Sequence, residues 1–320
     1  MFDNLCDVPG VLVGHATDRE GLTGCTAVLF EEPAVVSVDV RGSSPGTRET
    51  DRLGPTGTVR RTHALLLTGG SAFGLAATEG VVRFLEESGA GLDVGVTRIP
   101  LVSAAVLFDL VAGSHTARPD HEMGYEAAAS AGSGGFAQGS VGAGTGATVG
   151  KVLGMERAMK GGLGSASVEL DGGLVVGALA AVNAFGGVRD PDSGKILAGP
   201  RMEDGTLGDA VELLPEAAAR MRWEEDTTLG IVVTNAGLSK TQAAKVAQMA
   251  HDGLARAIEP VHTTVDGDVV FAASVGRVDA ATDIVGAWGA RVMQESILRG
   301  VRSAEGVPGI PSVSEYKDGI

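Results

Sequence analysis

The residues of this chain with the clearest chemical potential sit at one junction. Glu224-Glu225-Asp226 ends a polar run, and Thr227-Thr228 opens onto the apolar stretch 229–233. A hydroxyl at the first position of a strand can attack the carbonyl that precedes it. An N→O acyl shift then gives an ester, and water releases a new N-terminus. The freed α-amine serves as general base for its own hydroxyl. Such an amine has an unperturbed pKa of about 7.7–8, suited to work near neutral pH. Taken alone, the two threonines read more readily as β-branched residues that favour a strand.

Other motifs fail on spacing. The run from Gly142 to Lys151 has the look of a phosphate-binding loop. Its first glycine would have to stand at Thr145, and Val152 occupies the place of the Mg²⁺-binding Ser or Thr. Gly70-Ser71-Ala72-Phe73-Gly74 is one residue out of register for a nucleophile elbow, so Ser71 reads as a helix N-cap. The six histidines contain no HExxH, and His115 and His121 are too loosely spaced for a metal pair. All six read as structural.

The junction needs a frame. Apolar runs at 11–13, 27–30, 35–40, 64–67, 168–170, 174–182, 229–233 and 269–274 read as strands. Asp171-Gly172-Gly173 is a hairpin turn between two of them. Helices are expected over 72–87, 126–131, 207–221, 240–258 and 280–298. The fourth is headed by a capping box, Ser239 with Gln242. Residues 132–150 read as a closely packed glycine loop, and 187–226 as an exposed connection. The order is not a clean β-α alternation, so a layered α/β or α+β protein is expected rather than a doubly wound parallel sheet.

Composition sets limits on partners. Forty acidic against 25 basic residues, a net charge of −15, exclude a general nucleic-acid footprint. Cys6 and Cys25 form no CxxC, which suits a reducing compartment, and no signal peptide or membrane span is read. A cytoplasmic protein is expected.

Several segments across most of the chain resemble one family. They are Asp7-Val8-Pro9-Gly10-Val11 with Val13-Gly14, Pro45-Gly46-Thr47-Arg48-Glu49-Thr50-Asp51, and Leu67-Thr68-Gly69-Gly70-Ser71-Ala72-Phe73-Gly74-Leu75. Further on come Gly142-Ala143-Gly144 through Gly150-Lys151, Thr227-Thr228, and His262-Thr263 to Asp266-Gly267-Asp268. Together they resemble the L-aminopeptidase/D-esterase family of self-processing hydrolases. That family includes β-aminopeptidases and the nylon-oligomer (6-aminohexanoate-oligomer) endohydrolase, the type closest in motif. The resemblance implies an α+β fold, a four-layer αββα sandwich forming a single domain over 1–320. It implies a cut into a larger chain, 1–226, and a smaller one, 227–320, associated as a homotetramer. No metal and no cofactor are expected.

The resemblance also implies roles. Thr227 is the nucleophile and new N-terminus, with Asp226 and Thr227 flanking the cut. Asp266 and Asp268 orient and charge the α-amine. Two such carboxylates on an extended segment share a face, and close approach pushes their proton affinities apart. Both acids also fit an Asp-Gly turn. Lys151 stabilises carboxylates or an oxyanion, and Asn183 supplies an amide to the oxyanion. The plainer readings are a surface lysine and a turn asparagine. Two residues depart from the pattern. Asp226 stands where asparagine is frequent. Phe108, in the substrate pocket, replaces a tyrosine and cannot donate its hydrogen bond. The expected substrates are small peptides or ω-amino-acid amides, with neither nucleic acid nor membrane as partner. An acyltransferase of the ornithine-acetyltransferase kind and an unprocessed, non-catalytic homologue remain the alternatives.

Overall fold

The computed structural model describes residues 1–217 and 226–317. Nine strands form the main sheet system: β1 (Val11–Asp18), β2 (Thr23–Val40), β3 (Gly46–Arg48), β4 (Thr62–Thr68), β5 (Val102–Val106), β6 (Gly162–Leu170), β7 (Leu174–Asn183), β8 (Thr227–Ala236) and β9 (Val269–Val278). The order is β6-β7-β8-β9-β2-β4-β5-β3, with β1 also on β2. Strand β2 joins two halves. Its first part pairs with β1 and β4, and residues 35–40 pair with β9. The register against β4 breaks between Leu29 and Ala34, around Pro33, which cannot donate to a ladder. The two strands expected at 27–30 and 35–40 are therefore one strand that crosses between sheets.

Side-chain alternation builds the layers. Val28, Phe30, Leu65 and Leu67 from one sheet meet Leu179, Leu229, Ile231 and Phe271 from the other in a shared inner core. The opposite faces are apolar too. Ala27, Leu29, Ala64 and Leu66 pack on Val81 of α1 (Ala77–Glu87) and Ala127 of α2 (His121–Ala129). After α3 (Ala210–Ala217) come α4 (Lys240–Ala257) and α5 (Thr282–Arg302). Their Val246, Leu254, Met293 and Ile297 cover Val176, Ala178, Val232 and Val270. The result is the expected four-layer αββα sandwich.

Several expectations need correction. Residues 71–76 form a 3₁₀ turn ahead of α1, and Gly70 at φ 82° stands at its N-cap position, so Ser71 begins the turn instead of capping it. Helix α2 starts earlier than expected, at His121, because the Asp120 side chain accepts the Met123 N–H. Both halves of the Ser239–Gln242 capping box are present. The stretch from 187 is not wholly exposed. Gly187–Arg189 pairs with Ile196–Ala198 and with Ile258–Glu259, burying Val188 and Ala198. The end of the helix expected at 207–221 and the charged run before Asp226 lie outside the described residues. No described helix is long and apolar enough to cross a membrane.

Two pairings position the chemistry. Antiparallel β7 and β8 set Asn183 opposite Thr227. Parallel β8 and β9 set Leu229 beside Val269, which brings the segment before β9 alongside the start of β8. A parallel bridge between Asp226 and Asp266 continues that pairing.

Candidate active site

Thr227 is the first residue of β8 and is buried. Its hydroxyl donates to the carbonyl oxygen of Asp226 at 2.5 Å, so it touches the carbonyl that precedes it. The same oxygen accepts the Gly267 N–H at 2.6 Å. The bridge holds that donor in place, because the Asp226 N–H also donates to the Val265 carbonyl at 3.0 Å. Only glycine fits at 267. An added Cβ would lie 2.5 Å from the Ser44 carbonyl oxygen and 2.8 Å from Thr227 Oγ1.

Lys151 is not a surface lysine. Its Nζ meets Asp226 Oδ1 at 2.5 Å, with the two side chains 3% and 1% exposed. It also donates to the carbonyl and side-chain oxygens of Asn183, at 3.1 and 3.0 Å. Gly150, at φ 72°, makes the turn that admits the lysine. Nor is Asn183 an ordinary turn residue. It is fully buried, its Oδ1 accepts the Thr148 N–H at 3.0 Å, and its Nδ2 donates to the Phe108 carbonyl at 2.9 Å. A donor of the Asn183 amide thus faces Phe108, while the Gly267 N–H serves the Asp226 carbonyl oxygen. Phe108 joins the network through its backbone. Its missing hydroxyl leaves that contact intact.

Asp266 and Asp268 are both buried, and neither caps a hairpin. Asp266 accepts the Thr263 N–H and hydroxyl on Oδ2 and the Phe185 N–H on Oδ1. Asp268 accepts the Thr228 N–H at 2.7 Å on Oδ1, and on Oδ2 it meets the His262 N–H and Nδ1. Burial, reinforced by the neighbouring Asp268 charge and opposed by the Thr263 bonds, pushes the Asp266 carboxyl up to about 6.

That shift predicts a pH signature. A carboxyl raised in the folded state ionises first in the unfolded chain. Its effect is absent below about pH 4, grows between about 4 and 6, and is a full destabilisation above that. Urea midpoints at pH 4 and pH 7 measure it. Asp266→Asn should gain on the wild type by on the order of 2–3 kcal/mol between the two pH values. An unchanged difference would remove Asp266 as the buried, strained acid.

Sequence reasoning missed three contributors. His262 was grouped with structural histidines, yet its ring meets Asp268 at 2.7 Å. Gly267 reads in the sequence only as part of an Asp-Gly turn, yet its N–H reaches the Asp226 carbonyl. The Thr228 N–H, one residue past Thr227, holds Asp268. The available signal was the run His262-Thr263 to Asp268 itself, whose backbone contacts no side-chain motif advertises.

The chain has clear relatives. The model of peptidase family S58 matches residues 3–313. An uncharacterized aminopeptidase of Mycobacterium tuberculosis is 39% identical over 99% of this chain and 98% of its own length. The 6-aminohexanoate-oligomer endohydrolase of Kocuria sp. is 33% identical over 86% of this chain and 76% of its own. The structure of the L-aminopeptidase D-Ala-esterase/amidase from Ochrobactrum anthropi, a variant of the Ntn-hydrolase fold, superposes with a TM-score of 0.74. It covers 99% of this chain and 92% of that one at 19% identity, a likeness of fold. With its αββα layers and a buried threonine opening a central strand, this chain belongs to peptidase family S58.

Proposed function

We propose that this S58 peptidase is a self-processing N-terminal-threonine hydrolase, cutting between Asp226 and Thr227 and then cleaving amide bonds in small peptides or ω-amino-acid oligomers. The observation that carries the reading is the contact of Thr227 Oγ1 with the Asp226 carbonyl, whose oxygen already accepts the Gly267 N–H. Attack by Oγ1 places negative charge on that oxygen, where the preformed donor stabilises it. The hydroxyl proton passes to the Thr227 nitrogen as the C–N bond breaks, and residue 226 is left as an ester on Thr227 Oγ1. Water adds to that ester and releases residue 226 as the free acid. The single αββα domain is thereby divided into chains 1–226 and 227–320.

In the mature enzyme the Thr227 α-amine takes the proton from Oγ1 and passes it to the leaving amine. Asp266 and Asp268 are assigned to hold that amine. Their support is that Asp268 is bonded to the adjacent Thr228 N–H and Asp266 is bridged to Asp226. Lys151 and Asn183 line the acyl side, and Phe108, whose carbonyl holds Asn183, is assigned to the substrate pocket. The homotetramer and a cytoplasmic setting complete the proposal. Two free, buried cysteines suit the second.

Purified protein incubated with aminoacyl p-nitroanilides and 6-aminohexanoate oligomers tests the activity. Free acid as the product, with or without an added acceptor amine, is expected. Products formed only when an acceptor amine is present would instead indicate an acyltransferase. Gly267→Ala tests the donor. The added methyl displaces the hydroxyl or the Ser44 segment, and self-cleavage should slow by about 10²-fold on a gel time course. Unchanged cutting would remove Gly267 from the mechanism.

A further inference from the structure

The Asp226–Lys151 pair bears on which substrates the mature enzyme accepts, an inference that rests on the self-cleavage reading above. In the ester formed during cutting, the acyl group on Thr227 Oγ1 is residue 226 itself. Asp226 therefore occupies the place that each later acyl unit takes on the same oxygen. Its side chain lies against an ammonium, Lys151 Nζ at 2.5 Å, whose other contacts are the two oxygens of Asn183. Among the described residues Asp226 is the one carboxylate paired with Lys151.

Once residue 226 departs, the buried Lys151 has lost the carboxylate it was paired with, a disfavoured state that a carboxylate on the acyl unit would relieve. Among the described residues neither Asp266 nor Asp268 forms an ion pair with Lys151; they bond Phe185, Thr263, Thr228 and His262 and are assigned above to the α-amine. Lys160 is fully buried on the same side and adds to the positive field around Lys151. It is held by the Thr145 and Ala147 carbonyls with Asp109 as its own nearby counter-charge.

We propose that Lys151 is the specificity residue of the mature enzyme and selects acyl units with a carboxylate on the β-carbon, as in N-terminal α-aspartyl amides. Thr227 Oγ1 adds to the aspartyl carbonyl carbon, and the C–N bond breaks. The hydroxyl proton reaches the leaving amine through the α-amine. Water then adds to the ester, the bond from that carbon to Oγ1 breaks, and a proton returns to Oγ1 as aspartate leaves.

The test compares α-L-aspartyl-, L-asparaginyl- and L-alanyl-p-nitroanilide on the mature wild-type protein. Asparaginyl has the same shape without the charge. The aspartyl compound should exceed it in kcat/KM by about tenfold or more, the usual worth of a hydrogen bond to a charged group. L-aspartate should compete better than L-asparagine by a similar factor. In Lys151→Met that matures, turnover falls and the ratio approaches one. Equal turnover of aspartyl and asparaginyl compounds, or a preference for alanyl, overturns the proposal and leaves the amidase reading standing. No turnover of any amide, 6-aminohexanoate oligomers included, overturns both.

Discussion

Thr227→Ala yields a folded protein that neither cuts itself nor hydrolyses amides. In the proposed mechanism both steps use the same oxygen, so one substitution should remove both. Losing the nucleophile of such a unit costs about 10⁴–10⁶ in rate. The cost to folding is small by comparison. Among the described residues the hydroxyl bonds the preceding carbonyl oxygen, a bond worth about 1 kcal/mol. A single cooperative thermal transition, with a single band on a denaturing gel, is the expected record. Thr227→Ser keeps the hydroxyl and should still be cut. A Thr227→Ala protein that is still cleaved at 226–227 would assign the cut to an outside protease.

Lys151→Met should have the largest effect on stability. It takes the ammonium away from the buried Asp226 carboxylate and removes two contacts to Asn183. Breaking a buried pair from one side costs about 3–5 kcal/mol, far above the cost of losing a surface bridge. Replacing both charges with apolar groups of similar size is often neutral. The double variant Lys151→Met/Asp226→Leu should therefore recover most of the loss, a non-additivity that a double-mutant cycle reads directly. Denaturant midpoints of the four proteins, each also carrying Thr227→Ala so that all remain single chains, provide the comparison. Additive losses would mean that the two side chains do not act as a pair.

The parts legible in the sequence are those governed by local rules. The stripe and capping box of α4, the apolar opening of β8 and the Asp171–Gly173 turn follow from periodicity and turn chemistry. Long-range pairing was not legible. Nothing near Glu31-Glu32-Pro33 announces that β2 continues through it, because the partners that hold its two ends are β4 and β9. The layers came from resemblance to a family, not from the pattern of elements. The site divides the same way. Thr227 stands out by its position at a polar-to-apolar boundary. Lys151 looks like any loop lysine until the fold closes over it, and Gly267 acts through its backbone N–H. Burial and backbone geometry are products of assembly, and a residue's type carries little of either.

The central claim is that Thr227 becomes an N-terminus by its own chemistry. Intact mass of the purified protein under denaturing conditions, with sequencing from the N-terminus of the smaller piece, tests it most directly. Two chains are expected, residues 1–226 and 227–320, the smaller one beginning Thr-Thr-Leu-Gly. A single chain of full mass after prolonged incubation, in a protein that is folded, would contradict it.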